Sequence, residues 1–168
     1  MSAVLHKLGA SVDRLKDIAP TEATESFTSA HEASQEEWAK CEQTKLQGEE
    51  FKLKVLQMMC DFGFQVMEEV HGNGSTATPE GSTDHEQMSL SLGLVADALT
   101  ALESGANAKR LQCHTASRSP LLARLLGIDR NVELKKYTEG YRTGVARILA
   151  NSTYQNEEAC TAVWDAGL

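Results

Sequence analysis

The chain contains residue types that take part in catalysis, but their spacing does not build a known catalytic motif. Cys113 and His114 are adjacent zinc-ligand types, yet no second Cys or His pair stands at the spacing of a zinc site. Gly72-Asn-Gly74 lacks the Lys-Ser/Thr of a phosphate-binding loop, and neither Gly-x-Ser-x-Gly nor His-Glu-x-x-His occurs. We therefore expect a non-enzymatic chain without a metal or a cofactor.

The four cysteines, Cys41, Cys60, Cys113 and Cys160, are widely spaced and form no Cys-x-x-Cys motif. The first residues lack the apolar run of a secretory signal peptide, and no segment is apolar for long enough to span a membrane. The sequence therefore predicts a cytoplasmic protein whose cysteines are reduced, buried and apolar in character.

Charge is unevenly distributed along the chain, whose net charge is −8. Residues 1–104 carry 7 basic and 18 acidic side chains, whereas residues 105–168 carry 9 basic and 6 acidic ones. Such a division is typical of surfaces with different partners, or of two halves that attract each other. No dense Lys/Arg cluster with interleaved aromatics occurs, so nucleic acid is not an expected partner.

The elements that would position these residues are helices. Only 5% of the residues are aromatic, and apolar residues recur at intervals of three and four, with no two-residue alternation. Helices are predicted over 2–18, 35–70, 83–104, 106–116, 120–126, 132–153 and 157–166.

Start and stop signals divide the chain into three parts. Capping boxes are predicted at residues 34–37 and 83–86, and Ser119 is expected to cap a helix whose first residue is Pro120. Residues 71–83 form a loop rich in Gly and Thr. The parts are an N-terminal helix with a polar linker (1–34), a helical region with a degenerate repeat (35–104) and a further repeat (105–168).

Residues 106–153 read as two short helices and one long helix, which is the order within one armadillo repeat. A fainter copy lies upstream, since 95–101 matches 145–151 at a distance of fifty residues, with Ala101 where the repeat expects Asn. The predicted fold class is therefore all-α, an armadillo-like α-solenoid that forms a partial array.

The segment from Gly140 to Asn156, Gly-Tyr-Arg-Thr-Gly-Val-Ala-Arg-Ile-Leu-Ala-Asn-Ser-Thr-Tyr-Gln-Asn, resembles the signature of the ataxin-10 C-terminal domain. The resemblance covers residues 140–168, since Val163 and Gly167 continue the fit, and it departs from that family at Ser152 and at Ala159-Cys-Thr161. The resemblance implies a cytoplasmic interaction scaffold connected with cell division and cell-process outgrowth. The alternatives are an armadillo-type adaptor or regulator of small GTPases, and a helical bundle that binds a small molecule near Met58-Met59.

The last long helix carries two stripes. The first stripe holds the candidate partner-binding residues, which are Gly140, Gly144, Arg147, Asn151 and Tyr154. The second stripe is apolar and should be core; it comprises Leu134, Tyr137, Tyr141, Val145, Ile148 and Leu149. By resemblance to armadillo proteins, Asn151 would hold the main chain of an extended peptide between Arg147 and Tyr154. The alternative is structural: Asn151 bonds a neighbouring loop, and the glycines admit a packed helix.

The final helix carries Val163 and Trp164 and is followed by no polar cap. Because solenoid repeats bury their apolar faces only against neighbours, we expect an exposed apolar patch at this end. Such a patch predicts either self-association through the C-terminal end or a chain that is a fragment of a longer protein.

Overall fold

The computed structural model describes residues 3–18, 24–29, 45–72, 83–102, 105–126 and 139–168. Helices joined by short turns make up these ranges, and none of the residues within them forms a strand. The all-α prediction is therefore confirmed for the described part of the chain. None of the helices in this part is both long and apolar enough to cross a membrane.

Eight helices occur in the described ranges. They are α1 (Ala3–Ile18), α2 (24–29), α3 (Lys45–Gly72), α4 (Thr83–Leu99), α5 (Ala106–Ala116), α6 (Ser119–Leu125), α7 (Glu139–Thr153) and α8 (Glu157–Asp165). The capping box at 34–37 and residues 127–138 lie outside the described residues. The predicted loop 71–83 is too long at both ends, because α3 includes residues 71 and 72 and α4 begins at residue 83.

The end of α4 was expected near Ser104, and that prediction is wrong. The helix ends at Leu99, where the amide of Thr100 bonds to the carbonyl of Asp97 at 3.1 Å and the Thr100 hydroxyl donates to the same oxygen at 2.8 Å. Such bonds to the third preceding residue tighten the last turn and stop the α-helical pattern. Gly105, which follows the predicted end of α4 directly, precedes α5 with φ at +109°.

The start of α6 also differs from the prediction. Arg118, rather than Ser119, occupies the N-cap position, and Ser119 is the first helical residue. The Ser119 side chain is fully buried, and its hydroxyl donates to the carbonyl of Ala116 at 2.6 Å. The serine therefore links α6 to the end of α5 instead of capping the new helix.

One apolar core joins the helices from α1 to α7. Helix α4 packs against α1, α3 and α7, and α5 packs against α3, α4, α7 and α8. Contacts also join α7 to α6 and to α8. Each of the three parts predicted from the sequence (1–34, 35–104 and 105–168) contributes fully buried side chains, among them Leu15, Leu56, Phe64, Leu122 and Ile148. A second, smaller cluster joins α5 to α8 through Ala116, Ala159 and Val163.

The intervals of three and four in the sequence predict that one side of α3 is buried, and this prediction is only partly correct. The residues predicted to be buried are Phe51, Val55, Met58, Met59, Phe62, Val66 and Val70. Met59, Phe62, Val66 and Val70 are buried as expected. Towards the N-terminal end the fully buried residues are instead Leu53, Leu56 and Cys60. The expected Phe51, Val55 and Met58 are only partly buried.

The apolar stripe of α7 is confirmed where the structure describes it. Tyr141, Val145 and Ile148 are buried in the core, and Leu149 packs partly buried beside them. Leu134 and Tyr137 lie outside the described residues. In the first stripe, which holds the candidate residues, Gly144 and Asn151 are partly buried, whereas Arg147 and Tyr154 are exposed.

Candidate functional site

Gly144 marks a close approach between two helices. A Cβ atom at this position would lie 2.9 Å from Cβ and 3.0 Å from Cδ1 of Leu92 on α4. Real Cβ contacts are not this short, so glycine is required for α7 to pack against α4. Gly144 therefore admits a packed helix, as the structural alternative predicted. Gly140 lies in the first turn of α7.

Arg147 forms an ion pair with α4. Its Nη2 lies 2.9 Å from Oδ1 of Asp97, and the Nζ of Lys7 on α1 lies 3.4 Å from the other carboxylate oxygen. About half of the Arg147 side chain is exposed, whereas Asp97 is mostly covered. One carboxylate thus connects three helices through two cations, and the outer face of Arg147 stays accessible.

Asn151 joins α7 to both of its neighbours. Its Nδ2 donates to the carbonyl of Ala96 on α4 at 3.2 Å, and its own carbonyl accepts from Nε2 of Gln112 on α5 at 3.1 Å. The bond to Ala96 fixes the orientation of the side-chain amide, and the bond from Gln112 holds the backbone. No hydrogen bond from the described part of the chain reaches Asn151 Oδ1, so this oxygen is a fixed acceptor open to another molecule.

Tyr154 lies just beyond the end of α7, and 68% of its surface is exposed. Its carbonyl accepts a second hydrogen bond from Gln112 Nε2 at 3.1 Å, which holds the backbone in place. The ring itself is free to contact a partner along most of its surface.

Asn151 and Tyr154 line the same groove, of about 310 Å³, between the ends of α4 and α7 and the first half of α5. Its apolar base includes Leu99 and Leu102, and its polar rim adds Lys109 and Gln112 to the two α7 residues. Neither Arg147 nor the two glycines line it. The structure therefore brings together two of the five candidate residues.

Lys109 and Gln112 were not identified from the sequence. With Gly105 and Ala108 they stand at intervals of three and four along α5, so one face of this helix forms a wall of the groove. The spacing of these residues could be read from the sequence. The opposite wall of the groove could not, because it comes from α7, more than thirty-five residues later in the chain.

A second cavity, of about 630 Å³, adjoins the groove and shares Lys109 and Gln155 with it. Its other lining residues include Glu157, Glu158 and Cys160 at the start of α8. Cys160 is exposed, which corrects the expectation of a buried cysteine. Cys60 does fit that expectation, and burial raises its pKa to about 12.

Asn156 fixes the position of α8 beside the groove. Its Oδ1 accepts from the amide of Ala159, which caps α8, and its Nδ2 donates to the carbonyl of Lys109 at 3.1 Å and to Gln112 Oε1 at 3.0 Å. The side chain is 6% exposed. Asn156 is therefore part of the support of the groove and not of its accessible surface.

The other polar clusters are structural in character. His114 Nε2 lies 3.0 Å from Oδ1 of Asp61, and Arg118 lies 3.4 Å from the same oxygen, so this group ties α5 and the α5–α6 turn to α3. Within the described ranges, His, Cys, Asp and Glu never gather in a group of three or more that could hold a metal ion.

No family model matches the chain, and no curated protein or solved structure is significantly similar to it. The resemblance of residues 140–156 to the ataxin-10 domain therefore stays a prediction from the sequence.

Proposed function

We propose that this chain is a non-enzymatic protein-interaction scaffold of armadillo type, which binds an extended segment of a partner protein in the groove beside Tyr154. The observation that carries the proposal is the geometry of Asn151 and Tyr154. An amide fixed by hydrogen bonds and an exposed aromatic ring stand on the rim of one groove with an apolar base.

The helix contacts support the armadillo part of the proposal. Helix α4 contacts α1 on one side and α7 on the other, while α5 contacts α3 and α8. Cross-contacts join α3 to α4, α5 to α7 and α7 to α8. In a solenoid each repeat contacts mainly its neighbours, and two rows of helices, α1–α4–α7 and α3–α5–α8, would produce these contacts.

The fifty-residue offset supports the same reading. Val95 on α4 and Val145 on α7 occupy matching positions and are both fully buried. Asp97 and Arg147, also at matching positions, contact each other. Two equivalent third helices lying side by side would make contacts of this kind.

The groove has the chemistry that a peptide main chain requires. Asn151 Oδ1 can accept a hydrogen bond from a backbone N–H, and Lys109 can donate to a backbone carbonyl. Leu99 and Leu102 supply apolar contact below. Tyrosine is enriched among the residues that dominate binding energy at protein interfaces.

The resemblance to ataxin-10 adds a biological setting to the proposal, namely a cytoplasmic role connected with cell division and cell-process outgrowth. It rests on the resemblance of residues 140–168 alone. Imaging of a fluorescent fusion tests the cytoplasmic location directly; accumulation inside a membrane-bound organelle would contradict it.

The binding proposal is tested by selecting peptides from a displayed random library on the immobilised protein. Fluorescence anisotropy then gives the Kd of the strongest binders for the wild type and for Tyr154→Ala. We expect Tyr154→Ala to raise Kd by about tenfold or more without lowering Tm, because the ring is exposed. Arg124→Ala, at an exposed position on α6, is the matched control and should leave Kd unchanged. An unchanged Kd in Tyr154→Ala contradicts the proposal.

A further inference from the structure

Helix α8 has one buried face and one exposed face. Ala159 and Val163 are buried against α5. The opposite side, which we call the α8 face, consists of exposed residues: Glu157, Glu158, Cys160, Thr161, Trp164 and Asp165. At about 100° per residue these six positions fall on one side of the helix. No residue of the α8 face lines the groove beside Tyr154.

Trp164 is the main apolar group of this face. Its side chain is 78% exposed, and among the described residues only Tyr154 is another large apolar side chain with high exposure. The indole therefore contributes little to the core. Exposed tryptophan is costly in water and is among the residues most enriched at the energetic centres of interfaces.

The charged residues of the α8 face itself are all acidic, and Lys109 of α5 lies across the second cavity from Glu157 and Glu158. Glu157, Glu158 and Asp165 are exposed and form no ion pair with any other residue in the described ranges, and residues 157–168 contain no Lys or Arg. Some carboxylates elsewhere on the surface are paired, as Glu50 is with Arg110 at 2.7 Å. The α8 face is thus an aromatic surface bordered by three carboxylates that form no ion pair within the described ranges.

The position of Asp165 is not explained by the stability of α8. Glu157 and Glu158 lie in the first turn, where negative charge interacts favourably with the positive end of the helix dipole. Asp165 lies in the last turn, where a carboxylate faces the negative end of the dipole and is unfavourable. A positively charged partner beside Asp165 would remove that penalty.

We propose that the α8 face binds a basic segment of a partner protein, with an Arg or Lys side chain stacked on the Trp164 indole and the neighbouring carboxylates pairing with further cations. Cations are attracted to the face of an indole ring, and Arg pairs readily with carboxylates. The charge of the face excludes an acidic segment.

The length of the face sets the spacing of the cations. From Glu157 to Trp164 the helix rises about 10 Å, at about 1.5 Å per residue. An extended segment covers that distance in about three residues, at about 3.3 Å each. The segment that fits best therefore carries basic residues three positions apart.

The test titrates the peptide Gly-Arg-Gly-Gly-Arg-Gly, with blocked ends, into the full chain at low ionic strength. Trp38→Phe is the background, so that fluorescence reports on Trp164 alone. We expect saturable quenching, and no response to the peptide in which both Arg are replaced by Glu. Sedimentation of the free chain is measured in parallel. Self-association that depends on Trp164 would show that a second copy occupies the face and would overturn the proposal.

Two variants separate this site from general attraction to an acidic protein, with binding of a dye-labelled peptide followed by anisotropy. Glu157→Gln/Glu158→Gln/Asp165→Asn should raise Kd by about tenfold, as should Trp164→Ala. The matched control, Asp13→Asn/Glu49→Gln/Glu68→Gln, removes the same charge from exposed positions on α1 and α3 and should change Kd by less than about twofold. Equal weakening in the control, or an unchanged Kd in either α8 variant, would overturn the proposal. Because the face is exposed, the α8 variants should keep the wild-type circular dichroism spectrum.

Discussion

The guanidinium of Arg147 lies 2.9 Å from the carboxylate of Asp97, and the two residues are fifty positions apart at matching places in α7 and α4. A pair of this kind forms when two similar helices lie side by side with their offset preserved. The Arg147 side chain is about half exposed, so its replacement can be tested for an effect on the free energy of unfolding and, separately, for an effect on partner binding.

Replacing Arg147 by Ala is expected to lower the free energy of unfolding by less than about 1 kcal/mol, because exposed ion pairs contribute about 0.2–1 kcal/mol. Urea unfolding of Arg147→Ala, Asp97→Asn and the double variant gives the coupling energy. Asp97→Asn alone should cost more than Arg147→Ala, since Asp97 also pairs with Lys7. A coupling energy of zero would show that the pair contributes nothing to stability.

Gly144→Ala is expected to destabilise the protein by about 1–3 kcal/mol, because the added Cβ would lie 2.9 Å from Leu92 Cβ and would force α7 and α4 apart. Gly93→Ala is the matched control on α4. A Cβ at Gly93 meets nothing within 4 Å, so this variant should be more stable by up to about 1 kcal/mol. Thermal and urea unfolding of the two variants should therefore move in opposite directions. A stabilised Gly144→Ala would mean that α7 and α4 do not pack this closely.

Asn156→Ala is expected to lower the free energy of unfolding by about 1–3 kcal/mol. The replacement removes the cap of α8, and it takes away the Nδ2 donor that bonds to the carbonyl of Lys109 and to Gln112 Oε1. Asn156→Asp keeps an oxygen that can cap α8 but loses the Nδ2 donor. It should therefore fall between the wild type and Asn156→Ala in a urea unfolding series. Equal losses of unfolding free energy for both replacements would show that the Nδ2 donor, and not the cap of α8, accounts for the whole effect.

Cys60 and Cys160 are expected to differ strongly in reactivity. Burial raises the pKa of the Cys60 thiol from 9.0 to about 12, whereas Cys160 is exposed. In a Cys41→Ser background, a thiol reagent at neutral pH should modify Cys160 quickly and Cys60 only when the chain unfolds. Mass spectrometry of peptides after timed labelling checks the order. Early labelling of Cys60 would contradict the packing of α3 against α5.

The same thiol makes stability depend on pH in the alkaline range. Between about pH 9 and 12 the unfolded chain loses the Cys60 proton while the folded chain keeps it, so the unfolded state binds fewer protons. Stability contributed by the neutral thiol is complete below pH 9 and falls as pH rises towards 12, with a slope of up to about 1.4 kcal/mol per pH unit. Cys60→Ala should show a shallower decline over that range, and an equal decline in both proteins would contradict the prediction.

The sequence was sufficient for features that depend on local patterning. The all-helical class and the apolar stripe of α7 follow from the periodicity of the apolar residues. The bounds of α5 were also predicted correctly, because Gly105 and the turn after Ala116 are local signals.

Features that depend on tertiary contacts were not predicted. Ser119 has the sequence of an N-cap, but burial against the end of α5 turns its hydroxyl to Ala116 instead. Leu53 and Leu56 rather than Phe51 and Val55 are buried because α3 packs on α4 and α5 together, which changes the face it presents. The wall of the groove at Lys109 and Gln112 could not be inferred, since its other side comes from α7.

Binding in the groove is tested most directly by an amide chemical-shift map of the isotopically labelled chain with a peptide from the library selection. The account predicts that the largest shifts fall on Thr100, Lys109, Gln112, Tyr154 and Gln155, and that residues of α1 and of the middle of α3 stay unchanged. Shifts centred on α1 or α3, with the groove residues unaffected, would contradict it.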